Sequence, residues 1–249
     1  MQLVVSPVWD DVDVTEGGRY NTRFAYLTEY LAWMMSEVAE YVAKHDDTAF
    51  LKGQIATADA VRAALRQYDF DVLYYGSHGE EDALTAVDFE RAITIENSQP
   101  LFGRTTYAVA CLSAKALGAH VARNGGVYLG YDDVLYLEFG YRGPETDWWV
   151  EELYRDIFST GKLLVHTPPK DVASEIVRAY DDAIETFVKG GYDYSYLLHD
   201  RDHLVLLGAG NTGAWRPAPR RVTQPDETKT TLLLAAAALL ALPLLAKVI

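Results

Sequence analysis

The residues with the clearest chemical potential are one cysteine and one histidine that lie 33 positions apart. Cys111 is the only cysteine in the chain, and it ends the apolar run YAVAC (107–111). His78 lies near the end of another such run, DVLYYGSHG (71–79). A thiol beside an imidazole can perform nucleophilic catalysis, because the imidazole carries the proton while the thiolate attacks a carbonyl carbon. Whether the two side chains meet depends on the elements that carry them.

Both runs belong to a chain in which predicted strands alternate with predicted helices. Continuous apolar runs bounded by small residues are typical of strands that are buried on both faces. The predicted strands are 3–9, 71–79, 107–111, 126–133 and 203–208, and the predicted helices lie near 24–44, 57–67 (with Thr57 as N-cap), 112–124, 147–158 and 172–189. This alternation predicts an α/β fold with an open, mostly parallel sheet flanked by helices.

The two candidate residues lie where such a sheet places its chemistry. In open parallel sheets, ligands bind beyond the carboxyl ends of the strands, so His78 and Cys111 share a crevice if their strands are neighbours. The helix predicted after Cys111 would direct its N-terminus at the thiol and, with the imidazole, favour the thiolate. The backbone N–H groups of Gly79 and Cys111 are candidate donors to an oxyanion.

The two motifs resemble those of a known group of enzymes. YYGSHGEE (74–81) and YAVACLSA (107–114) are similar to the His-Gly and Ala-Cys motifs of the caspase-like cysteine peptidases, which include caspases, metacaspases, gingipains and separase. The resemblance implies a doubly wound sheet in flavodoxin-like order, Cys111 as nucleophile, His78 as general acid/base, and Gly79 and Cys111 as oxyanion donors. It implies no metal and no organic cofactor for the chemistry. Val109 stands before Ala-Cys, without the Gln-Ala-Cys-Arg-Gly box of the caspases proper, so their aspartate specificity is not implied.

The composition excludes other classes of function. A formal net charge of −14, without a dense basic patch, argues against nucleic-acid binding. A single cysteine excludes an internal disulfide and favours a reducing compartment. Aspartate and arginine outnumber glutamate and lysine, which we expect of a protein from a high-salt cytoplasm. An ordinary acidic soluble surface explains the charge equally well.

The C-terminal sequence TTLLLAAAALLALPLLAKVI (230–249) predicts a single-pass membrane anchor. Its unbroken apolar stretch covers 15 residues, 232–246, and a helix of about 20 residues crosses a bilayer. A linker rich in proline and charge (211–229) separates it from the main domain (1–210). Basic residues precede the apolar stretch, so the domain is predicted to face the cytoplasm. The alternative is an apolar helix that docks on the domain or on a partner.

Four acidic residues border the predicted crevice. Glu80 and Glu81 follow the histidine and either orient it or belong to a solvated loop. Asp132 and Asp133 end the strand after the cysteine helix. If one of them lines the primary pocket, the enzyme prefers a basic residue before the scissile bond; otherwise they cap the next element.

Two further motifs suggest ligands without supporting context. GAGNTG (208–213) matches the dinucleotide-binding pattern, but prolines follow where the pattern needs a helix. HDRDH (199–203) brings two histidines and two aspartates together, but no further ligands follow at a telling spacing. We interpret the second motif as a charged turn before the last strand.

The sequence therefore predicts a membrane-tethered cysteine endopeptidase that cleaves protein or peptide substrates through an acyl-enzyme on Cys111. The alternative is a catalytically inactive caspase-like interaction or scaffold module with the same tether. A receiver-like or Rossmann-like nucleotide-binding domain is a third reading.

Overall fold

The computed structural model describes residues 1–8, 14–15, 19–20, 27–137, 148–210, 213–220 and 222. The strands are β1 (Gln2–Ser6), β2 (Val14–Thr15), β3 (Arg19–Tyr20), β4 (Thr48–Lys52), β5 (Val72–Gly76), β6 (Ala83–Thr85), β7 (Arg91–Thr94), β8 (Thr105–Val109), β9 (Val127–Tyr131) and β10 (Leu204–Leu207). The α-helices are α1 (Leu27–Val42), α2 (Ala58–Gln67), α3 (Ala119–Arg123), α4 (Trp148–Ser159), α5 (Pro169–Gly190) and α6 (Ser195–Asp202). A π-helix at Ala114–Gly118 leads into α3, and short 3₁₀ helices lie at Gly53–Ile55, Val87–Phe89, Ile95–Asn97, Gln99–Leu101 and Thr160–Val165.

Six strands form the main sheet, in the order β4-β1-β5-β8-β9-β10. The first five are parallel to their neighbours, whereas β10 pairs antiparallel with β9. Counted in chain order, the parallel strands lie 2-1-3-4-5, which is the flavodoxin-like order. The predicted α/β class with a mostly parallel, helix-flanked sheet is therefore confirmed. The strands that carry His78 and Cys111 are neighbours, as the catalytic hypothesis requires.

Each face of the sheet is covered by its own group of helices. On one face, Tyr74 and Tyr107 of the central strands pack in a core with α1, α4 and α5. On the other face, Tyr75 and Ala108 pack with α2 and with the helical segment 114–123. Because both faces are buried, the central strands are apolar on both sides, which explains their continuous apolar runs in the sequence.

Local signals in the sequence fix the ends of some helices. The side chain of Thr57, the predicted N-cap of α2, accepts a hydrogen bond from the N–H of Ala60 at 3.2 Å. α5 ends at Gly191, whose left-handed backbone (φ 71°) suits glycine. Both features agree with the helices predicted at these places.

A small hairpin, β6–β7, lies between β5 and β8 in the chain and was not predicted from the sequence. The hydroxyl of Tyr75, which is fully buried in β5, donates to the carbonyl of Thr85 in β6 at 2.7 Å. This bond attaches the hairpin to the central sheet beside the residues that follow β5. The edge strand β4 was also not predicted, because its residues are only half-buried.

The C-terminal predictions concern residues of which little is described. The anchor at 230–249 and most of the linker at 211–229 lie outside the described residues. Within the part of the chain that is described, no helix is long and apolar enough to cross a membrane.

Candidate active site

The pairing of β5 with β8 brings the segments of His78 and Cys111 to the same edge of the sheet. Gly76 is the register partner of Val109, and the N–H of Ser77 continues the ladder by donating to the carbonyl of Val109 at 3.2 Å. His78 and Cys111 each lie two residues beyond this last register pair, so both follow neighbouring strands at the carboxyl edge of the sheet. The strand arrangement that the catalytic hypothesis requires is therefore present.

The backbone beside His78 packs directly against Cys111. A Cβ placed on Gly79 would lie 2.4 Å from the carbonyl oxygen of Cys111 and 2.9 Å from the Cβ of Ala110. Only glycine allows this approach, because any side chain here would overlap the strand end that carries the thiol. Gly79 thus allows the segment after β5 to pack against the end of the strand that carries Cys111.

The backbone of His78 is anchored from the hairpin. The N–H of Thr85 donates to the carbonyl of His78 at 3.2 Å, and the hydroxyl of Thr85 donates to the same oxygen at 3.1 Å. On the other side of Gly79, the N–H of Glu80 donates to the carbonyl of Ala83 at 2.9 Å. These bonds flank the bridge between Gly79 and Leu84, so the Gly79 N–H takes no part in that bridge.

The imidazole of His78 lies against an aromatic ring. Its centroid is 4.8 Å from that of Phe89. Phe89 is 53% exposed, and both it and Asp88 have a left-handed backbone (φ 57°). Such a backbone is strained for residues other than glycine, and the tight turn turns the Phe89 ring towards the histidine.

The segment after Cys111 differs from the helix predicted there. Leu112 has a left-handed backbone (φ 57°), and its N–H donates to the carbonyl of Asp133 at 2.9 Å. Helical structure begins at Ala114, as a π-helix. The N–H groups of Ala116 and Leu117 both donate to the carbonyl of Glu81, at 2.8 and 2.9 Å. The prediction that this helix N-terminus serves the thiol is therefore wrong, because a backbone carbonyl occupies its donors.

The thiol itself is largely enclosed, and its strongest described contact is a backbone donor. The N–H of Leu135 donates to Sγ of Cys111 at 3.3 Å. Burial raises the pKa of the Cys111 thiol, and the nearby carboxyl groups of Asp200 and Asp133 raise it further. The Leu135 N–H opposes this rise because it stabilises the thiolate, but it does not outweigh burial. The expectation of a lowered thiol pKa is therefore wrong for this conformation.

Asp200 is a fully buried acid beside the thiol that the sequence did not single out. Its Oδ1 accepts a hydrogen bond from the N–H of Tyr136 at 2.9 Å. Burial raises the pKa of the Asp200 carboxyl well above its usual range, although the Tyr136 N–H opposes the rise. Two consecutive backbone N–H groups, of Leu135 and Tyr136, thus donate to Cys111 and to Asp200.

The two glutamates after the histidine form ion pairs on the surface. Glu80 pairs with Arg91 at 3.4 Å, and Glu81 pairs with Lys115 at 2.6 Å. Both carboxylates are about half exposed, at 52% and 56%. These contacts favour the solvated-loop reading of the pair over an orienting role.

The two aspartates after β9 lie beside β10 and its preceding histidine. Asp132 accepts a hydrogen bond from Nδ1 of His203 at 2.9 Å and forms an ion pair with Arg216. Burial alone would raise the pKa of Asp132, but the hydrogen bonds from Arg216 and His203 outweigh it and lower the pKa. Oδ1 of Asp133 accepts a hydrogen bond from the N–H of Val134 at 2.8 Å. A free acidic pocket for a basic substrate residue is therefore not formed by Asp132 in this conformation.

We use the term thiol site for His78, Gly79, Cys111 and Leu135. The first three follow from motifs at strand ends, whereas Leu135 approaches from a loop 24 residues beyond the cysteine. It contributes a backbone N–H, which carries no sequence signal. No protein-family model matches the chain, and no curated protein matches it in a sequence search.

Proposed function

We propose that the protein is a caspase-like cysteine endopeptidase in which Cys111 is the nucleophile and His78 the general acid/base. The observation that supports this proposal is the strand register, which ends at Gly76 and Val109, two residues before His78 and Cys111, at the carboxyl edge of neighbouring strands. The contact of Gly79 with the Cys111 backbone supports it, because it holds the residue after His78 against the strand end that carries the thiol.

The topology gives independent support. In the 2-1-3-4-5 order the winding direction changes at β1, and the thiol site follows β5 and β8, next to that point. Crevices at such switch points are the usual location of ligands in open α/β sheets. The position of the thiol site at this edge therefore supports a role in binding a substrate.

The raised thiol pKa determines the order of proton transfers. Because the resting thiol is protonated, His78 takes the Sγ proton as sulfur attacks the carbonyl carbon of the peptide. The carbonyl oxygen becomes an oxyanion, which the N–H groups of Gly79 and Cys111 stabilise. The protonated His78 then gives its proton to the leaving amine as the C–N bond breaks. Water, deprotonated by His78, hydrolyses the thioester and restores the thiol.

The test is the alkylation of Cys111 by iodoacetamide across pH, in the full chain and in His78→Ala. Under the proposal, imidazole-assisted loss of the thiol proton makes the wild-type rate near pH 7 at least about tenfold faster than that of the variant. His120→Ala, which changes a half-buried histidine on α3, is the control and should react like the wild type. A slow thiol that is indifferent to His78 would overturn the dyad.

The second candidate function is a non-catalytic caspase-like interaction module. It is favoured by the raised pKa and enclosure of the thiol, which are typical of a buried structural cysteine. The two candidates differ in covalent trapping by peptidyl chloromethyl ketones, which need both the thiol and an adjacent histidine. Trapping that is lost in His78→Ala supports the peptidase, and its absence at every pH supports the module.

We also propose that residues 230–249 anchor the protein in the cell membrane with the domain in the cytoplasm. The support is the apolar stretch with basic residues before it. The full chain should then remain in membranes after alkaline carbonate extraction. Leu239→Arg should release a large fraction, since a central arginine costs about 3 kcal/mol on insertion. Equal retention of both would indicate peripheral attachment.

A further inference from the structure

Two histidines and one aspartate converge on the sheet edge beyond the thiol site. Asp133, His199 and His203 each offer one ligand atom, and these atoms all lie within 4.8 Å of one another. Asp133 follows β9, His199 lies in α6 and His203 precedes β10. The antiparallel pairing of β9 with β10 joins these segments, because the N–H of Asp132 donates to the carbonyl of His203 at 3.1 Å. We refer to the three residues as the histidine–aspartate cluster.

Hydrogen bonds indicate which nitrogen of each ring keeps a lone pair for an ion. Nε2 of His199 donates to the carbonyl of Val134 at 3.1 Å. A carbonyl can only accept, so the neutral ring carries its proton on Nε2 and keeps the Nδ1 lone pair. Nδ1 of His203 donates to the carboxylate of Asp132 at 2.9 Å, so this ring presents Nε2. Histidines that bind metals show this arrangement, in which the second nitrogen donates to a carbonyl or a carboxylate.

The separations suit a small ion. Nε2 of His203 lies 3.8 Å from Oδ2 of Asp133, whereas two ligands of a tetrahedral zinc ion lie about 3.3 Å apart for bonds of about 2.0 Å. The three ligand atoms lie within 4.8 Å of one another, so binding requires side-chain rotations that draw them closer together. The His203 and Asp133 side chains are 35% and 45% exposed, and a surface depression borders both histidines, so an ion has access from solvent.

We propose that Asp133, His199 and His203 bind a divalent transition-metal ion of the zinc class, with Asp132 as the positioning residue of His203. Imidazole and carboxylate ligands suit such ions, and three protein ligands leave a fourth position for water or an external ligand. The site uses none of the side chains of the proposed dyad, so it does not depend on peptidase activity.

The experiment is calorimetric titration of the full chain, stripped of metal with EDTA, with Zn²⁺. We expect one equivalent to bind, and affinity to fall at least about tenfold in both His203→Ala and Asp133→Asn. Asp133→Asn keeps the size of a half-exposed side chain, so it tests the site even if His203→Ala fails to fold. Asp132→Asn should weaken binding by about 10- to 100-fold, as loss of an outer-shell partner does.

Two further variants locate the ion. His166→Ala changes a separate pair of histidines, His45 and His166, whose ring centroids are 5.6 Å apart. Cys111→Ser removes the thiol. Both should bind zinc like the wild type. Unchanged affinity in His203→Ala and Asp133→Asn, loss of binding in either control, or no binding by the wild type would each overturn the proposal.

Discussion

The thiol site and the histidine–aspartate cluster lie on the same edge of one sheet, yet their environments are opposite. Burial dominates at the thiol site and raises the pKa of Cys111, so its neutral form is favoured. Next to the cluster, the hydrogen bonds of Asp132 with Arg216 and His203 outweigh its burial and keep it ionised. A position at the carboxyl edge of the sheet therefore does not by itself favour the ionised form of a side chain. The donors and charges that neighbouring segments supply decide which protonation state is stable.

The largest predicted effect is on stability and comes from adding a side chain at Gly79, where the thiol site is most tightly packed. Gly79→Ala places a Cβ 2.4 Å from the Cys111 carbonyl oxygen, so the strand ends must separate. We expect the free energy of unfolding to fall by about 1–3 kcal/mol, as overpacked sites do. Urea denaturation measures this change.

Gly190→Ala, at the end of α5, is the matched control. Its added Cβ would meet only the ring of Tyr192, which is 67% exposed and can turn away. We expect this variant to keep the wild-type stability or to gain slightly, because alanine favours helices more than glycine does. If both substitutions cost the same, the contact of Gly79 with Cys111 is not tight in solution.

Removing a side chain that buries Cys111 should lower the pKa of its thiol towards that of an exposed cysteine. Leu135 is 9% exposed and packs in the same core as Cys111, while its N–H contacts Sγ. Leu135→Ala keeps this donor but admits water, so the raised thiol pKa should fall. The midpoint of the alkylation profile should shift to lower pH by about one unit, which means about tenfold faster reaction near pH 7.5.

Leu137→Ala, two residues along the same loop, controls for a general loosening. It should leave the alkylation profile within about twofold of the wild type, since residue 137 gives the thiol no described contact. Circular dichroism must show that both variants are folded under the conditions used. An unshifted midpoint in folded Leu135→Ala would show that burial by this segment does not set the thiol pKa.

Two threonine hydroxyls near the thiol site differ in whether they form a hydrogen bond. The Thr85 hydroxyl donates to the carbonyl of His78, whereas the Thr106 hydroxyl, in β8, is fully buried and has no hydrogen-bond partner among the described residues. Thr85→Val should lower the free energy of unfolding by about 1 kcal/mol, and Thr106→Val should raise it by about 1 kcal/mol. Urea denaturation of the pair tests this, and changes of the same sign would contradict it.

Much of the fold could be predicted because its central strands are buried on both faces. The runs at 71–79 and 126–133 contain β5 and β9, and the run at 107–111 overlaps β8, which begins two residues earlier. Their parallel pairing follows from the α/β alternation. The hairpin β6–β7 escaped prediction because its turn uses Asp88 and Phe89 in left-handed conformations, without glycine or asparagine. The late start of the helix after Cys111 also escaped prediction, because Leu112 has a left-handed backbone that leucine rarely adopts.

The site was predictable only where it depends on strand ends. His78, Gly79 and Cys111 could be placed together because neighbouring parallel strands end at one edge. The raised thiol pKa could not be predicted, since it arises from packing and from Asp200, which is 89 positions further along. HDRDH alone indicates no metal site, because the third ligand of the proposed site, Asp133, follows another strand and is brought near by the β9–β10 pairing.

The smallest effect should be a coupling between the two regions. Asp133 accepts the N–H of Leu112 through its carbonyl, and Val134 accepts from His199, so the segment that carries Leu135 is attached to the cluster. A bound ion would hold this segment more firmly over the thiol and make its opening rarer. We expect saturating Zn²⁺ to slow alkylation of Cys111 about fivefold, the lower end of typical coupling between sites. Zinc bound directly to the thiol would also slow alkylation, but that effect would persist in His203→Ala. Slowing in the wild type alone therefore assigns the coupling to the cluster, and equal slowing in both proteins contradicts it.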